Sequence, residues 1–213
     1  MNNNKYNPKH WQKRLPQYLS ENWSKLPSPF AKQTVKYLKD GAKVLELGAG
    51  AAQDGLWFES SGYDVTISDG DDVAFNEIQA RSVTSKRPVL VDITKPLPFE
   101  DNSFDAVYAQ LVLHYFDDET MHQIIKEIER VLKPGGIFSC MVNSLDDPEY
   151  DETLENASGL INVDGLIKRY FTLDSFAPFV STFRPLLFDN KGRHPKDDAK
   201  GNVGMIRFIG VLR

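Results

Sequence analysis

Strand and helix signals alternate along the first two thirds of this chain, and two strand signals close it with no helix between them. These observations predict an α/β fold: a single doubly wound, mostly parallel, seven-stranded sheet with helices on both faces and a C-terminal antiparallel strand. A third observation, a run of small residues straight after the first strand, marks the binding edge. In sheets of this kind ligands bind outside the carboxyl ends of the strands, where strand order reverses.

Taken in order, residues 8–39 hold scattered aromatics and prolines at 8, 16, 27 and 29, which read as short helical pieces with breaks, the last over Phe30–Leu38. Gly41 ends that piece, and Lys43–Leu47 is the first strand. Gln53–Ser61 is helical and stops at Gly62, and Tyr63–Asp69 is a strand with Val65 and Ile67 on one face. Asp71–Ser82 is a helix with acids in its first turn. Arg87–Ile93 and Phe104–Val112 are strands. Asp117–Lys133 is the clearest helix, because Met121, Ile124, Ile125, Ile128, Val131 and Leu132 recur with a period near 3.6, and Pro134-Gly135-Gly136 terminates it. Ile137–Val142 is the next strand. After a polar acidic connection, helices are expected near Leu160–Arg169 and from Thr172 onward. Phe183–Phe188 and Met205–Leu212 are strands joined by a charged connection, hence a hairpin.

Composition sets the outer limits. The 213 residues are 41% hydrophobic and 26% charged, ordinary for a single globular domain. The single cysteine, Cys140, has no internal partner for a disulfide, so a reducing, cytoplasmic setting is the natural expectation. MNNNKYNPKHWQKR lacks an apolar stretch of signal-peptide type, and no run approaches ~18 apolar residues, so neither a leader nor a membrane partner is expected. A net charge of -5 and a pI of 5.4, with no basic stripe, speak against a chain built to grip DNA.

The segment VLELGAGAAQDG, residues 44–55, asks what approaches the backbone. The dinucleotide fingerprint needs glycine at its third position, which here is Gln53, and no Walker lysine follows. The surrounding charge is negative: Glu46, Asp54, Asp69 and Asp92 gather at the strand ends. Such a rim suits hydroxyls, amines or a cation better than phosphate. Asp69 is placed to accept from a ribose diol, and Asp92 from an adenine amino group.

The runs VLELGAGAAQDGLWFESSGYDVTISD, VDITKPLPFEDNSFDAVYAQLVLHYF and IIKEIERVLKPGGIFSCMV closely resemble the class I S-adenosylmethionine-dependent methyltransferases over about residues 40–143. The resemblance implies S-adenosylmethionine as cofactor, with S-adenosylhomocysteine as product. It places the methionine moiety at Glu46, Gly48 and Gly50, the ribose at Asp69, and the adenine at Asp92 and Ile93, with Ala49, Asp54 and Gly70 as further cofactor-binding candidates. Gln110 matches a position that lines the methionine side. The antiparallel hairpin end also agrees with that fold. Residues 40–143 then form the cofactor-binding core, 1–39 an N-terminal helical cap or lid, and 144–213 the C-terminal helices and hairpin of one domain. The family commonly has glycine where Ala52 stands, so a normal turn with slightly less room is expected. RYFTLDSFAPF is similar, over a short stretch, to small-molecule and tellurite-resistance branches of the family.

Methyl transfer from a sulfonium is an in-line displacement in which alignment contributes most, so no acid–base dyad is demanded. His114 and Tyr115 follow the fourth strand, where the acceptor should sit, and are the catalytic candidates; the alternatives are a histidine supporting the loop and a packed tyrosine. Asn143 and Asp146 either touch acceptor or cap the next turn. Tyr6, Trp11, Tyr18 and Trp23 either cover the cofactor or pack on the sheet edge. His10, His122 and His194 read as surface residues, and no spacing suggests a metal. An Asn/Asp-Pro-Pro-aromatic motif is missing after the fourth strand, and Cys140 lies inside the fifth, where it reads as core. Together these favour a small-molecule methyl acceptor over DNA, with protein or RNA behind, and a monomer or homodimer. The rival classes are a non-catalytic S-adenosylmethionine-binding regulator or partner subunit, and a nucleotide-dependent oxidoreductase.

Overall fold

The computed structural model describes residues 8–81, 88–148, 150–154, 160–163, 166–193 and 204–213. Its seven-stranded sheet joins β1 (Lys43–Leu47), β2 (Asp64–Asp69), β3 (Val89–Leu90), β4 (Phe104–Gln110), β5 (Leu132–Asn143), β8 (Phe183–Gly192) and β9 (Met205–Leu212). The order is β3-β2-β1-β4-β5-β9-β8. β1 pairs in parallel with both β2 and β4, so strand order reverses at β1. β9 runs antiparallel to β5 and to β8, which is the C-terminal hairpin the two closing strand signals predict.

Strand alternation sends side chains to two cores. Leu45, Leu47, Val107, Phe138 and Cys140 meet the apolar face of α5 (Asp118–Val131), whose Met121, Ile124, Ile125, Ile128 and Val131 are buried. The other face receives Val44, Ala106, Tyr108 and Met141 under α1 (Pro8–Ser20), α2 (Pro29–Thr34), α3 (Gln53–Ser60) and α4 (Asp72–Arg81). Glu46 has the parity of Val44 and therefore points into this second core. Asp117 caps α5 by accepting the Thr120 N–H at 2.8 Å. The helix stops at Val131, and β5 takes up Pro134-Gly135-Gly136 as an irregularity, with Gly135 at φ 75.

Three local expectations change. Residues 160–169 are not a helix: β6 (Leu160–Val163) and β7 (Leu166–Arg169) pair antiparallel as a separate hairpin. The β-branched Ile161, Val163 and Ile167 favour strands, and Asp-Gly at 164–165 is a sequence signal for a tight turn that outweighs the helical periodicity. The third parallel strand is shorter than expected, pairing only at Val89 and Leu90 before Asp92 starts a turn, and Arg87 lies outside the described residues. α1 continues through Pro16, which is exposed, so its ring disturbs no packed neighbour. Thr172 does open a helix, α6 (Leu173–Phe176), through a reciprocal capping box with Ser175.

The loop that leads into β4 is held by one side chain. Arg130 on α5 donates to the Phe99 carbonyl (2.8 Å), the Leu97 carbonyl (3.0 Å), Asp101 (2.7 Å) and Glu127 (2.7 Å). Glu127 in turn accepts the Leu97 N–H at 2.7 Å. Replacing Arg130 with methionine keeps the aliphatic stem and removes these bonds, most of them part-buried, at a cost of about 2 kcal/mol. Urea unfolding should show a lower midpoint at an unchanged slope; an unchanged midpoint would show that the loop holds without Arg130.

Candidate functional site

Beyond β1 the backbone turns left-handed three times in five residues: Gly48 at φ 66, Gly50 at φ 53 and Ala52 at φ 54. Each has its own reason. At Gly48 a Cβ would come within 2.5 Å of Val112 Cγ2, so the turn and the exit of β4 can touch only through glycine. Ala52 adopts the glycine conformation without being glycine, at a cost of roughly 1–2 kcal/mol, while its methyl is fully buried. The turn therefore keeps its shape, as expected, and stores strain at its last residue. Ala49 N–H donates to the Ser68 carbonyl at 3.0 Å and Ala52 N–H to the Ala49 carbonyl at 2.7 Å.

A cavity of about 320 Å³ opens at this edge, outside the carboxyl ends of β1, β2 and β4. Its polar wall is Gly48, Gly50, Asp69, Gly70, Asp71, Asp92 and Thr94. Its apolar wall is Leu15, Val91, Ile93, Leu111, Val112, Tyr115 and Phe116. No lysine, arginine or histidine stands among its described lining residues. Asp69 is built in from both sides, accepting the Gly50 N–H at 2.7 Å on one oxygen and the Asp71 N–H at 2.9 Å on the other. Burial raises its carboxyl above the usual range, and those two N–H bonds pull it back. Asp92 uses one oxygen to accept from the Thr94 N–H (3.0 Å) and hydroxyl (2.6 Å).

The structure thus brings Gly48, Gly50, Asp69, Gly70, Asp92, Ile93 and Tyr115 to one cavity. Glu46, Ala49, Asp54, Gln110 and His114 stand behind its wall. Asp54 accepts from the Ser28 N–H (2.6 Å), the Ser28 hydroxyl (2.8 Å) and the Tyr108 hydroxyl (2.7 Å). Gln110 Oε1 lies 2.9 Å from the Ser28 hydroxyl and 2.5 Å from that of Tyr108. The hydroxyls of Ser28 and Tyr108 are each shared between Asp54 and Gln110, which ties the four side chains into one hydrogen-bonded cluster. Burial, the largest influence on Asp54, raises its carboxyl above the usual value. His114 is buried with its ring centroid 4.2 Å from that of Tyr115, which fits a supporting role better than direct proton removal.

Asp146 accepts from the Asn190 side chain at 2.9 Å, and Asn143 is buried. Tyr18 and Trp23 pack edge-on against each other at 5.4 Å, and neither lines the cavity. His122 is exposed beside Phe179, whereas Tyr6, His194 and the side chains of His10 and Trp11 lie outside the described residues. No group of three or more metal-ligating side chains occurs among the described residues.

Leu111 and Val112 line the cavity at the carboxyl end of β4, where the strand-end rule directs attention, and Phe116, expected to pack, lines it too, whereas no sequence pattern marks Leu15. Ser28 did leave a signal: Ser-Pro-Phe is a helix N-terminus, and Ser28 caps α2 by accepting the Ala31 N–H at 3.0 Å.

Glu46 carries the sharpest electrostatic consequence. It is 4% exposed; burial first, and the Asp54 charge second, push its carboxyl well above the ordinary range, with the Gly55 N–H opposing. A carboxyl raised in the folded state makes the fold bind more protons than the unfolded chain. Its contribution is therefore most favourable below the unfolded value and falls as pH rises through the folded one. Glu46→Gln removes that loss, so the unfolding temperature of the variant relative to the parent should rise between pH 5 and pH 8. A difference that stays flat across that window would show that Glu46 is already ionised at its lower end.

Residues 45–140 match the family described as "Methyltransferase domain". An uncharacterized methyltransferase of Synechocystis sp. is 31% identical over 102 residues, 48% of this chain and 47% of that protein. Squalene methyltransferase 1 of Botryococcus braunii is 33% identical over 147 residues, 61% of this chain and 36% of its own. The chain thus spans about half the length, or less, of these curated relatives. Among solved structures, a Burkholderia thailandensis 1,6-didemethyltoxoflavin-N1-methyltransferase holding its substrate and S-adenosylhomocysteine superposes with a TM-score of 0.75. The identity is 18%, over 96% of this chain and 86% of the other, so that likeness speaks for the fold. Sheet order, the glycine turn and the matched core agree: residues 45–140 match the methyltransferase-domain family, and the sheet that carries them has the fold of S-adenosylmethionine-dependent methyltransferases.

Proposed function

We propose that this protein is an S-adenosylmethionine-dependent methyltransferase whose acceptor is a small molecule. The observation that carries the first half is the cavity at the strand-order reversal. It offers acidic acceptors, backbone at a left-handed turn and apolar walls, and no cation among its described lining residues. That donor set fits a cationic adenosine ligand and would be wrong for a pyrophosphate. Gly48 and Gly50 would hold the methionine end, Asp69 the ribose hydroxyls, and Asp92 with Ile93 the adenine. Ala49 belongs to the same turn, and Glu46, Asp54 and Gln110 support it from behind. When bound, the cofactor supplies a methyl group already activated by the sulfonium charge.

What remains for the chain is orientation and exclusion of water, and alignment of this kind can contribute ~7–11 kcal/mol to lowering the barrier. Leu111, Val112 and Phe116 exclude water. Tyr115 is the candidate that faces the cavity, and His114 acts through it. The apolar wall supports an apolar small acceptor. A relative named for squalene lends the same support, and a structural neighbour with bound 1,6-didemethyltoxoflavin supports a small acceptor without bearing on its polarity.

Thermal shift with S-adenosylhomocysteine, S-adenosylmethionine and NAD tests the proposal. At a hundredfold excess over Kd a true ligand stabilises by ~2.7 kcal/mol. The first two should stabilise and NAD should not; stabilisation by NAD alone sinks the assignment. Asp69→Asn keeps an oxygen for only one of the two backbone N–H groups, so ligand-free stability falls as well; in titration calorimetry well below the unfolding temperature it should lose at least tenfold in S-adenosylhomocysteine affinity, ~1.4 kcal/mol. Undiminished binding would remove Asp69 from the ribose. Transfer of a tritiated methyl group across apolar and amine acceptors, set against peptides and RNA, identifies the acceptor class.

A further inference from the structure

Arg81 closes α4, remote in sequence from both the glycine turn and the N-terminal segment, and touches both. Its Nη1 donates to the Ala51 carbonyl at 2.7 Å and its Nη2 to the Ser24 carbonyl at 3.3 Å. Four residues beyond Ser24, Asp54 takes the Ser28 N–H at 2.6 Å and the Ser28 hydroxyl at 2.8 Å. Residues 24–28 are therefore pinned at both ends to residues 51–54, the stretch that contains left-handed Ala52. Ser24 is 1% exposed, and both bonds from Arg81 are part-buried. Leu15, in the helix leading to this segment, is 2% exposed and lines the cavity, whereas Arg81 does not.

We infer that Arg81 is a positioning residue: one guanidinium bridging the Ala51 and Ser24 carbonyls fastens the N-terminal segment to the glycine turn and so holds Leu15 in place as a wall of the cavity. The planar fork of arginine presents two N–H groups at fixed spacing to two carbonyls, which an ammonium reproduces only singly. The bridge does not depend on what fills the cavity, but its consequence for binding rests on the function proposed above. A basic residue in the last turn also favours α4 through the helix dipole. The two roles separate experimentally, because the dipole contribution acts on α4 alone and survives in lysine.

Hydrogen exchange on the ligand-free protein reads the bridge directly. Arg81→Met should speed exchange in residues 13–26 and 49–53 while leaving α5 unchanged; unaltered exchange in both stretches overturns the inference. Titration calorimetry with S-adenosylhomocysteine, well below the unfolding temperature, reads the consequence. Arg81→Met should weaken binding at least tenfold, Arg81→Lys should recover only part of it, and Leu15→Ala should weaken it too. The double variant should bind no worse than the weaker single variant, since both changes remove one wall. Additive losses, or full recovery by lysine, overturn the role of Arg81 at that wall. If the parent protein binds no S-adenosylhomocysteine, the proposed function fails, and the exchange data still decide the bridge.

Discussion

The chain leaves β1 through three left-handed residues, Gly48, Gly50 and Ala52, and most of the site follows from that constraint. A reversal this tight brings the first turn of α3 back over the end of its own strand. Asp54 is thereby carried beneath the sheet edge, where Tyr108 and Ser28 must satisfy it. Glu46 is left between Tyr108, its register partner, and α3, where the missing side chain of Gly55 makes room for its carboxyl. On the opposite side the same reversal leaves the Gly50 N–H free to be taken by Asp69. The acid that ends β2 is thus fixed by β1, and the cavity has one rigid polar corner.

Burial of acids is the recurring electrostatic feature of this corner. Glu46, Asp54 and Asp69 all have carboxyls raised by desolvation, on a chain whose net charge is already negative. Keeping such groups together costs folding free energy, which the cores on the two sheet faces offset. Sites commonly hold groups that a purely structural fold would have replaced by apolar residues. Hydrogen-bond geometry shows how the cost is contained here. Asp54 and Asp69 accept from backbone N–H groups and hydroxyls, none of them a cation.

Much of the fold was legible because its signals are local. α5 advertises itself through apolar spacing, β1 through its run into glycine, and the final hairpin through two strands without a helix. The hairpin at 160–169 differs from the expected helix because leucines and isoleucines at mixed spacing satisfy either periodicity over so short a run, and the Asp-Gly pair is the better guide. Within the site, residues at strand ends could be placed from order alone, which is why Gly48, Asp69 and Asp92 reach the cavity. Depth could not. Whether Gln110 faces a ligand or a serine 82 residues away depends on where the N-terminal segment lies, and no local pattern encodes that. Leu15 and Arg81 escape sequence reasoning for the same reason: their roles are defined by contacts across the fold.

The two borders of the sheet differ in kind from its middle. β3 presents only two paired residues, with Leu90 56% exposed, and β8 carries Pro185 and two breaks in register. A strand that short gives an incoming chain little to align with. Proline and irregular register likewise interrupt the row of donors and acceptors that an edge would otherwise offer. The rims of this sheet therefore discourage edge-to-edge pairing between copies of the chain.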